Sequence, residues 1–414
     1  MNCIYNQIPD AVRSAGKVHK AILLRALSTH LRDATFEKSA AEVDALFDNL
    51  RHISLDTLVT LASPALWLNV HRLYRATDAT PHFDVSLLIT NLQAMAFDSY
   101  WHLLEGRVID IDVPTGKLLL PSIGYQLRGR HLRLSCASGA PTIERQGRNQ
   151  PVTSDTEALP LSVQSLPSAP SLVVGELDTS IFDDFSIEAA RGHGIQLSEF
   201  AQQLVHSLNL IKHVAPNLAN TINLSVQWFV PLRSADPSIH RSHSSMDLPH
   251  VIFLSPSDRK AELAEAIVHE FGHNELNAIE PVCPLVDGQD VADFYSPWRT
   301  DRRPLRGLLH ALFVFCGVSA FLRALDHSDC ARGSASSVRT RRVLTMHRIR
   351  LGLKQVAYSR LAAGGMSIVK LIQTAAEECS AELGEYTSIP PEIESHWRAW
   401  RSANPELTAQ GPSD

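Results

Sequence analysis

Apolar residues recur every three or four positions along several stretches of the chain, which is the spacing of an amphipathic helix. This spacing predicts helices at 18–31, 36–50, 55–74, 186–215, 340–361 and 367–383. An apolar run that includes Trp228 and Phe229 instead predicts a strand at 222–231. We therefore expect a predominantly helical protein of the α+β class.

A different pattern occupies the middle of the chain, where short β-like runs alternate with turn-rich stretches. The runs lie at 117–120, 132–134 and 171–174. The segment 138–170 is rich in Ser, Pro and Thr, and we predict a mobile loop there. These changes of pattern predict three regions, which are a helical region at 1–105, a smaller β-rich region at 106–180 and a third region at 181–414.

A strand followed directly by a helix is predicted within the third region. Residues 251–254 form a compact apolar run, and the Ser-Pro-Ser-Asp sequence that follows is typical of a helix start. Residues 259–278 contain few helix breakers, and Leu263, Ile267 and Leu276 recur at near-helical spacing. The pattern therefore predicts an amphipathic helix behind a buried strand.

This predicted helix carries His269-Glu270-Phe271-Gly272-His273, which matches the motif H-E-x-x-H. Two histidines four residues apart on a helix project from the same face, so both imidazoles can reach one metal ion. Glu270 points elsewhere and is free to act on a metal-bound oxygen or to orient a ligand. The motif therefore predicts a divalent metal site.

The third ligand decides which chemistry such a site supports. Metzincin proteases have Gly and His at the positions that Leu276 and Ile279 occupy here, so that class is excluded. The next predicted helix, at 305–325, contains no carboxylate but contains His310 in an otherwise apolar run. A lone histidine on an apolar helix is ordinarily a core residue, but its place one helix after the motif favours a ligand. Three imidazoles suit zinc and iron equally.

Four arginines lie just before that helix, namely Arg299, Arg302, Arg303 and Arg306. We interpret Arg302 and Arg306 as solvent-exposed loop residues. The pair Trp298-Arg299 is different, because a guanidinium binds carboxylates in a bidentate fork and neighbouring aromatic rings strengthen that pairing. The segment therefore predicts a clamp for a small dicarboxylate or a carboxylate-bearing substrate.

Net charge and composition indicate which classes of binding partner and which cellular location to expect. The net charge of −6 argues against broad binding to nucleic acid or anionic membranes. The six cysteines show no CxxC spacing, which indicates neither a zinc knuckle nor a disulfide framework. The first ten residues lack the pattern of a signal peptide, and the apolar stretch 307–325 contains His310 and Arg323, which fits a buried helix better than a membrane span. We expect a cytoplasmic protein with neither nucleic-acid nor membrane partners.

Three segments of the chain resemble one known family. The motif HEFGH, the segment YSPWRTDRRP and the segment GLLHALFVF are together similar to the HExxH-containing peptide-modification proteins of bacterial ribosomal-peptide biosynthesis. The resemblance is close over residues 248–325 and diffuse elsewhere. Arg302 departs from the family pattern, which has a proline before its Arg-Pro pair.

Members of this family are understood as iron(II)- and α-ketoglutarate-dependent β-hydroxylases that act on side chains of a precursor peptide. The resemblance implies that His269, His273 and His310 hold iron(II), with α-ketoglutarate and O2 beside it. It further implies that a guanidinium, from Arg299 or Arg303, pairs with the distal carboxylate of α-ketoglutarate. Glu270 then has a substrate-positioning or supporting role and is not a hydrolytic base.

A zinc-dependent hydrolase, such as a metallopeptidase, is the main alternative. There the three histidines bind zinc, Glu270 takes a proton from the metal-bound water as general base, and the arginines bind a substrate carboxylate. Ligation by Glu377 or Glu378 in place of His310 would favour this alternative. A third class is a peptide-binding scaffold in which a closed, four-ligand metal only fixes two helices.

Further polar and aromatic residues are weaker candidates. The serines of a polar stretch before the 251–254 strand are candidates to donate hydrogen bonds to a co-substrate carboxylate: Ser242, Ser244 and Ser245. The histidines of the same stretch have a non-specific spacing: His240, His243 and His250. Near the end of the chain we interpret Trp397 and Trp400 as packing residues.

Overall fold

The computed structural model describes residues 108–113, 117–120, 125–152, 159–160, 164–166, 169–174, 197–226, 228–232, 240–246, 248–281, 283–331, 335–381, 388–407 and 411. The predicted helical region 1–105 lies outside the described residues, and so do its three predicted helices.

Helices make up the larger part of the described chain. They are α1 (Leu197–Val214), α2 (Pro216–Ser225), α3 (Lys260–Ile279), α4 (Leu305–Asp326), α5 (Ala335–Lys354), α6 (Ala363–Ala381) and α7 (Pro391–Ala403). The strands are β1 (Val108–Asp112), β2 (Lys117–Leu120), β3 (Tyr125–Arg128), β4 (His131–Ala137), β5 (Ala140–Arg145), β6 (Arg148–Pro151), β7 (Leu159–Pro160), β8 (Gln164–Leu166), β9 (Ala169–Val174), β10 (Trp228–Pro231), β11 (Ser242–Ser245), β12 (Leu248–Leu254), β13 (Ala292–Phe294) and β14 (Arg303–Pro304). The prediction of a mostly helical α+β protein is confirmed.

The sheet behind the HExxH helix has five strands in the order β11-β12-β10-β9-β8. Its three inner strands are parallel, with Trp228 opposite both Val251 and Val173, whereas the outer strands β11 and β8 run antiparallel to their neighbours. Strand β12 is followed by α3, as the sequence predicts, but the helix begins only at Lys260, after Arg259 at its N-cap, and not at the Ser-Pro-Ser-Asp sequence. Strands from both sides of residue 180 pair in this sheet, so the predicted β-rich and metal-binding regions share it.

The predicted mobile loop at 138–170 is wrong over residues 140–151, which form β5 and β6 of a four-stranded antiparallel sheet, β1-β4-β5-β6. Two tight turns join these strands. The turns have positive φ at both central residues, which are Ser138-Gly139 and Gln146-Gly147. That geometry is the one that two-residue hairpins need, and the glycine after a polar residue supplies it. The polar composition reflects exposed hairpin strands.

A second correction concerns the strand predicted at 222–231 and the helix predicted at 186–215. Helix α2 continues to Ser225, and the strand begins only at Trp228. Ala215 interrupts the helix with an extended φ of −143°, and Pro216 starts α2 at its first position, where a missing N–H costs nothing. The part of the predicted helix before Leu197 lies outside the described residues.

Helix α4 lies at the centre of the helical core. It packs against α3, α5 and α6, and most of its side chains are buried, among them Leu309, Phe313 and Phe321. In the described part of the chain it is the one helix long and apolar enough to cross a membrane, and it is mostly buried inside the protein. The interpretation of this stretch as a buried helix is confirmed.

Candidate metal centre

Helix α3 projects both motif histidines from one face because they are four residues apart. The packing of the opposite face decides the direction in which the histidines point. That face buries Leu263, Ile267 and other apolar residues, and Asn274 donates from Nδ2 to the backbone oxygen of Val251 at 3.1 Å. This bond to strand β12 fixes the rotation of the helix about its axis. The His269 and His273 rings stack edge to face with their centroids 5.0 Å apart.

Helix α4 brings the third predicted ligand to the same place. The His310 ring lies nearly parallel to the His273 ring, with centroids 5.7 Å apart and an angle of 20° between planes. Their Nδ1 atoms are 3.4 Å apart. Two nitrogens bound to one ion at about 2.1 Å each are about 3.0 to 3.4 Å apart. The pair therefore has the separation of two ligands of one metal.

The three imidazoles adjoin one another, and their chemistry fits a metal. Burial lowers the pKa of His269 to about 4, holds the pKa of His273 well below its usual value and lowers the pKa of His310. All three rings are therefore neutral at pH 7, as metal ligation requires. As the side chains stand, no group of three His, Cys, Asp or Glu residues in the described part of the chain surrounds a common metal position. The metal itself stays a prediction.

A carboxylate that the sequence reasoning missed supports His310 from behind. Glu280, at the C-terminal end of α3, places Oε2 3.3 Å from His310 Nε2. Arg306 donates from Nε and Nη2 to the two oxygens of the same carboxylate. The interpretation of Arg306 as a solvent-exposed residue is therefore wrong. The signal was present, because Glu280 follows His273 by seven residues and lies on the same helix face.

Glu270 is turned toward strand β11. Its side chain is 4% exposed, and its two oxygens accept hydrogen bonds of 2.7 Å from the Ser242 and Ser244 hydroxyls. Burial raises the pKa of Glu270 to about 7, and the two serine hydrogen bonds oppose that rise. The prediction that these serines point at a co-substrate carboxylate is wrong, because both hydroxyls already donate to Glu270. The third serine, Ser245, is buried.

The arginine loop, residues 295–303, connects β13 to β14 and carries the predicted clamp. The Asp301 carboxylate pairs with both clamp residues, at 3.1 Å from Arg299 Nε and 3.2 Å from Arg303 Nη1. The Arg299 side chain is 60% exposed, whereas that of Arg303 is 35% exposed. The charge of Arg303 also helps to lower the pKa of His273.

The C-terminal helix holds the arginine loop in place. The Tyr295 hydroxyl lies 2.9 Å from His396 Nδ1, and the Tyr295 ring packs edge-on against Trp397 and Trp400. Arg302 is solvent-exposed, as predicted, and it pairs with Glu406 beyond the helix and donates to Asn404. The tryptophans are packing residues, as predicted.

An aromatic stack separates the imidazoles from the helical core. Trp298 stacks on Phe315 of α4 at 4.6 Å between centroids and 4° between planes. The edge of the His269 ring meets Phe315 at 5.0 Å. The stack therefore joins the arginine loop to the face of α3 that carries His269 and His273.

The remaining candidates lie apart from the cluster or contact it only indirectly. Glu377 and Glu378, the alternative third ligands, are exposed on α6. His243 packs over Phe253 at 6.0 Å and is close enough to influence His273 electrostatically. The His250 side chain lies outside the description.

Comparison with known proteins adds nothing to these residues. No protein-family model matches the chain, and no curated protein matches its sequence.

Proposed function

We propose that this protein is an iron(II)- and α-ketoglutarate-dependent dioxygenase that hydroxylates the β-carbon of a side chain in a ribosomally synthesised precursor peptide. The observation that carries the proposal is that three neutral imidazoles, one buried and two half-buried, adjoin one another near the guanidinium of Arg303. The segments that resemble the peptide β-hydroxylases contain all four residues. Work on a newly made precursor peptide implies a cytoplasmic location.

Each residue has a defined task in this proposal. His269, His273 and His310 hold the iron, and Arg303 pairs with the distal carboxylate of α-ketoglutarate. Bound iron, with α-ketoglutarate and dioxygen, supplies the oxidising power to hydroxylate a C–H bond, and α-ketoglutarate leaves as succinate and carbon dioxide. Trp298 and Phe315 exclude water from the side of the site next to His269.

Asp301 occupies the clamp until a ligand arrives. Its carboxylate bridges Arg299 and Arg303, which is how a ligand carboxylate would bind. Because Asp301 is an exposed residue, water solvates it once it is displaced, and exposed ion pairs of this kind contribute at most about 1 kcal/mol. A dicarboxylate held also by the iron can therefore displace it.

Glu270 separates this proposal from the zinc hydrolase. A pKa near 7 is what a general base needs, and this value favours the hydrolase. Against it, both Glu270 oxygens accept hydrogen bonds from β11, which occupies the carboxylate in holding that strand on α3. We assign Glu270 this anchoring role and keep the hydrolase as the second candidate.

A spectrum tests the proposal without a peptide. Metal-free protein is titrated anaerobically with iron(II) and then with α-ketoglutarate, and the visible absorption is recorded. A keto acid chelated to iron(II) gives a weak charge-transfer band, which we expect in the wild type and in the variant of the exposed His206, His206→Ala. The band should disappear in His310→Ala. The hydrolase would be established instead by three results together. The wild type would give no band, it would retain zinc, and it would hydrolyse peptides in a reaction that Glu270→Gln abolishes.

A further inference from the structure

Helix α3 continues its metal-binding face beyond the motif. Glu280 follows His273 by seven residues and His269 by eleven, which is about two and three helical turns. The three side chains therefore lie along one stripe of the helix. The last of them, Glu280, ends the helix with its side chain 12% exposed and turned toward α4.

On α4 the carboxylate meets two residues one turn apart, Arg306 and His310. Arg306 donates to both Glu280 oxygens, and its backbone N–H donates to Asp290 Oδ1 at 3.3 Å. His310 Nε2 lies 3.3 Å from Glu280 Oε2. A guanidinium that donates to both oxygens in this bidentate way pairs with an ionised carboxylate, so Glu280 is a carboxylate.

An ionised carboxylate can only accept hydrogen bonds, so the proton of the neutral His310 ring must be on Nε2. The other ring nitrogen, Nδ1, then carries the free lone pair. This is the atom that lies 3.4 Å from His273 Nδ1. Without the carboxylate, the two tautomers of a buried imidazole are close in energy, and a part of the molecules would carry a proton on Nδ1.

We propose that Glu280 is a positioning residue, held by Arg306, which fixes the Nε2–H tautomer of His310 and directs its Nδ1 lone pair toward His273. The metal-binding part of this inference rests on the proposed function. Glu280 would act through His310 as the outer partner of a carboxylate–histidine–metal arrangement.

A direct ligand role for Glu280 conflicts with its contacts. Both of its oxygens already accept from the permanently charged Arg306 guanidinium. In addition, Glu280 faces Nε2 of the His310 ring, whereas His273 faces Nδ1 on the other side. One ion cannot therefore be bound by Glu280 and by the facing Nδ1 pair.

The first measurement is made on the metal-free full-length protein. The protein is labelled with ¹⁵N-histidine, the His310 signals are assigned by their loss in His310→Ala, and the tautomer is determined from the ring nitrogen shifts. We expect a proton on Nε2 in the wild type and in Glu280→Gln, whose amide oxygen still accepts. In Glu280→Ala we expect a mixture with the Nδ1–H form.

The second measurement is the dissociation constant for cobalt(II), followed by its visible absorption. Loss of a residue behind a ligating histidine typically weakens metal binding by about 10- to 100-fold. We expect that range for Glu280→Ala and a smaller loss for Glu280→Gln. The matched control is Asp326→Asn, which removes the carboxylate of another buried ion pair, with Arg342, at the far end of α4. It should bind cobalt like the wild type, and circular dichroism establishes that all variants are folded.

Two results would overturn the inference. One is a folded Glu280→Ala protein with the wild-type tautomer and unchanged cobalt affinity. The other is loss of cobalt binding in both Glu280 variants as complete as in His310→Ala, because this would make Glu280 a ligand. If the wild type itself does not bind cobalt, the proposed function fails, while the tautomer measurement still decides the role of Glu280.

Discussion

The imidazole cluster and the arginine loop adjoin each other but are built differently. The three histidines belong to two long helices; His310 is buried, and His269 and His273 are half-buried. His310 is 7% exposed and has its own carboxylate partner in Glu280. Of the clamp arginines, Arg299 lies exposed on the connection between two short strands and Arg303 lies half-buried at the start of β14; both pair with Asp301, two residues away. Rigid elements thus carry the predicted metal ligands, and an adjustable segment carries the predicted co-substrate clamp.

Under the proposed function, this difference predicts that metal binding and α-ketoglutarate binding have separate energetic controls. Buried packing and the Glu280 carboxylate determine the arrangement of the histidines before any ligand arrives. The clamp depends instead on weak surface ion pairs and on the packing of α7 against Tyr295. We therefore expect variants of the two regions to have separable effects on metal affinity and on α-ketoglutarate affinity.

The largest effect is expected at the middle imidazole, which contacts both others. His273→Ala should weaken iron(II) binding by more than about 100-fold, because loss of a ligand exceeds the typical cost of losing a residue behind one. Metal content per chain after equilibrium dialysis measures this. The exposed His206→Ala is the control. Iron retained by a folded His273→Ala protein would exclude His273 as a ligand.

The next effect tests the support of the arginine loop. Trp400 is 1% exposed, and its ring packs against that of Tyr295. Replacing a core Trp by Ala typically costs about 3–5 kcal/mol of unfolding free energy. Trp400→Ala should therefore lower stability in urea and weaken α-ketoglutarate binding, while the folded fraction still binds iron. The less buried Trp397→Ala should cost less. If Trp400→Ala instead weakened iron binding and left α-ketoglutarate binding normal, α7 would support the imidazole cluster and not the arginine loop.

Acid should destabilise the imidazole cluster through His269. Burial lowers the pKa of His269 from its usual 6.5 to about 4, so below pH 6.5 the unfolded chain binds a proton that the folded chain excludes. The unfolding free energy of metal-free protein should be highest above pH 6.5 and fall by about 3 kcal/mol toward pH 4 from this group. Urea unfolding across this range measures the slope, which His269→Gln should reduce. An unchanged slope in that variant would contradict burial of a neutral His269.

The smallest effect separates the two clamp residues. A hydrogen bond to a charged group contributes about 1.5–3 kcal/mol, so Arg303→Gln should weaken α-ketoglutarate binding by about 10- to 100-fold. Arg299→Gln should weaken it less, because that side chain is more exposed. Isothermal titration calorimetry with α-ketoglutarate measures these affinities in the presence of cobalt(II). The same titration of metal-free protein gives the baseline. A larger loss in Arg299→Gln would assign the clamp to Arg299.

The sequence was most informative where a periodic pattern coincided with chemistry. The strand-helix unit of the motif and the following apolar helix were predictable because continuous burial requires continuous apolar residues. The hairpins at 140–151 were not predicted, because their polar strands resemble loops and only the Ser-Gly and Gln-Gly turns reveal them. Glu280 was missed because its partner His310 is thirty positions away in sequence.

Other contacts at the site were beyond prediction because they depend on tertiary pairing. Ser242 and Ser244 reach Glu270 only because β11 joins the edge of the sheet above α3. Arg302 and Arg306 looked alike in sequence, yet Arg302 pairs with Glu406 after α7 and Arg306 pairs with Glu280 at the end of α3. Two arginines of the same basic segment thus have unrelated structural roles that their sequence context does not distinguish.

The stack of Trp298 on Phe315, with His269 at its edge, has an optical consequence. An indole this close to a bound transition metal loses its excited state to the metal, so its fluorescence falls as the ion binds. Occupancy can then be followed in the native chain at micromolar concentration, without label, peptide or turnover. A Trp298→Phe protein retains the ring packing but lacks this light emission, which isolates the signal among the six tryptophans of the chain.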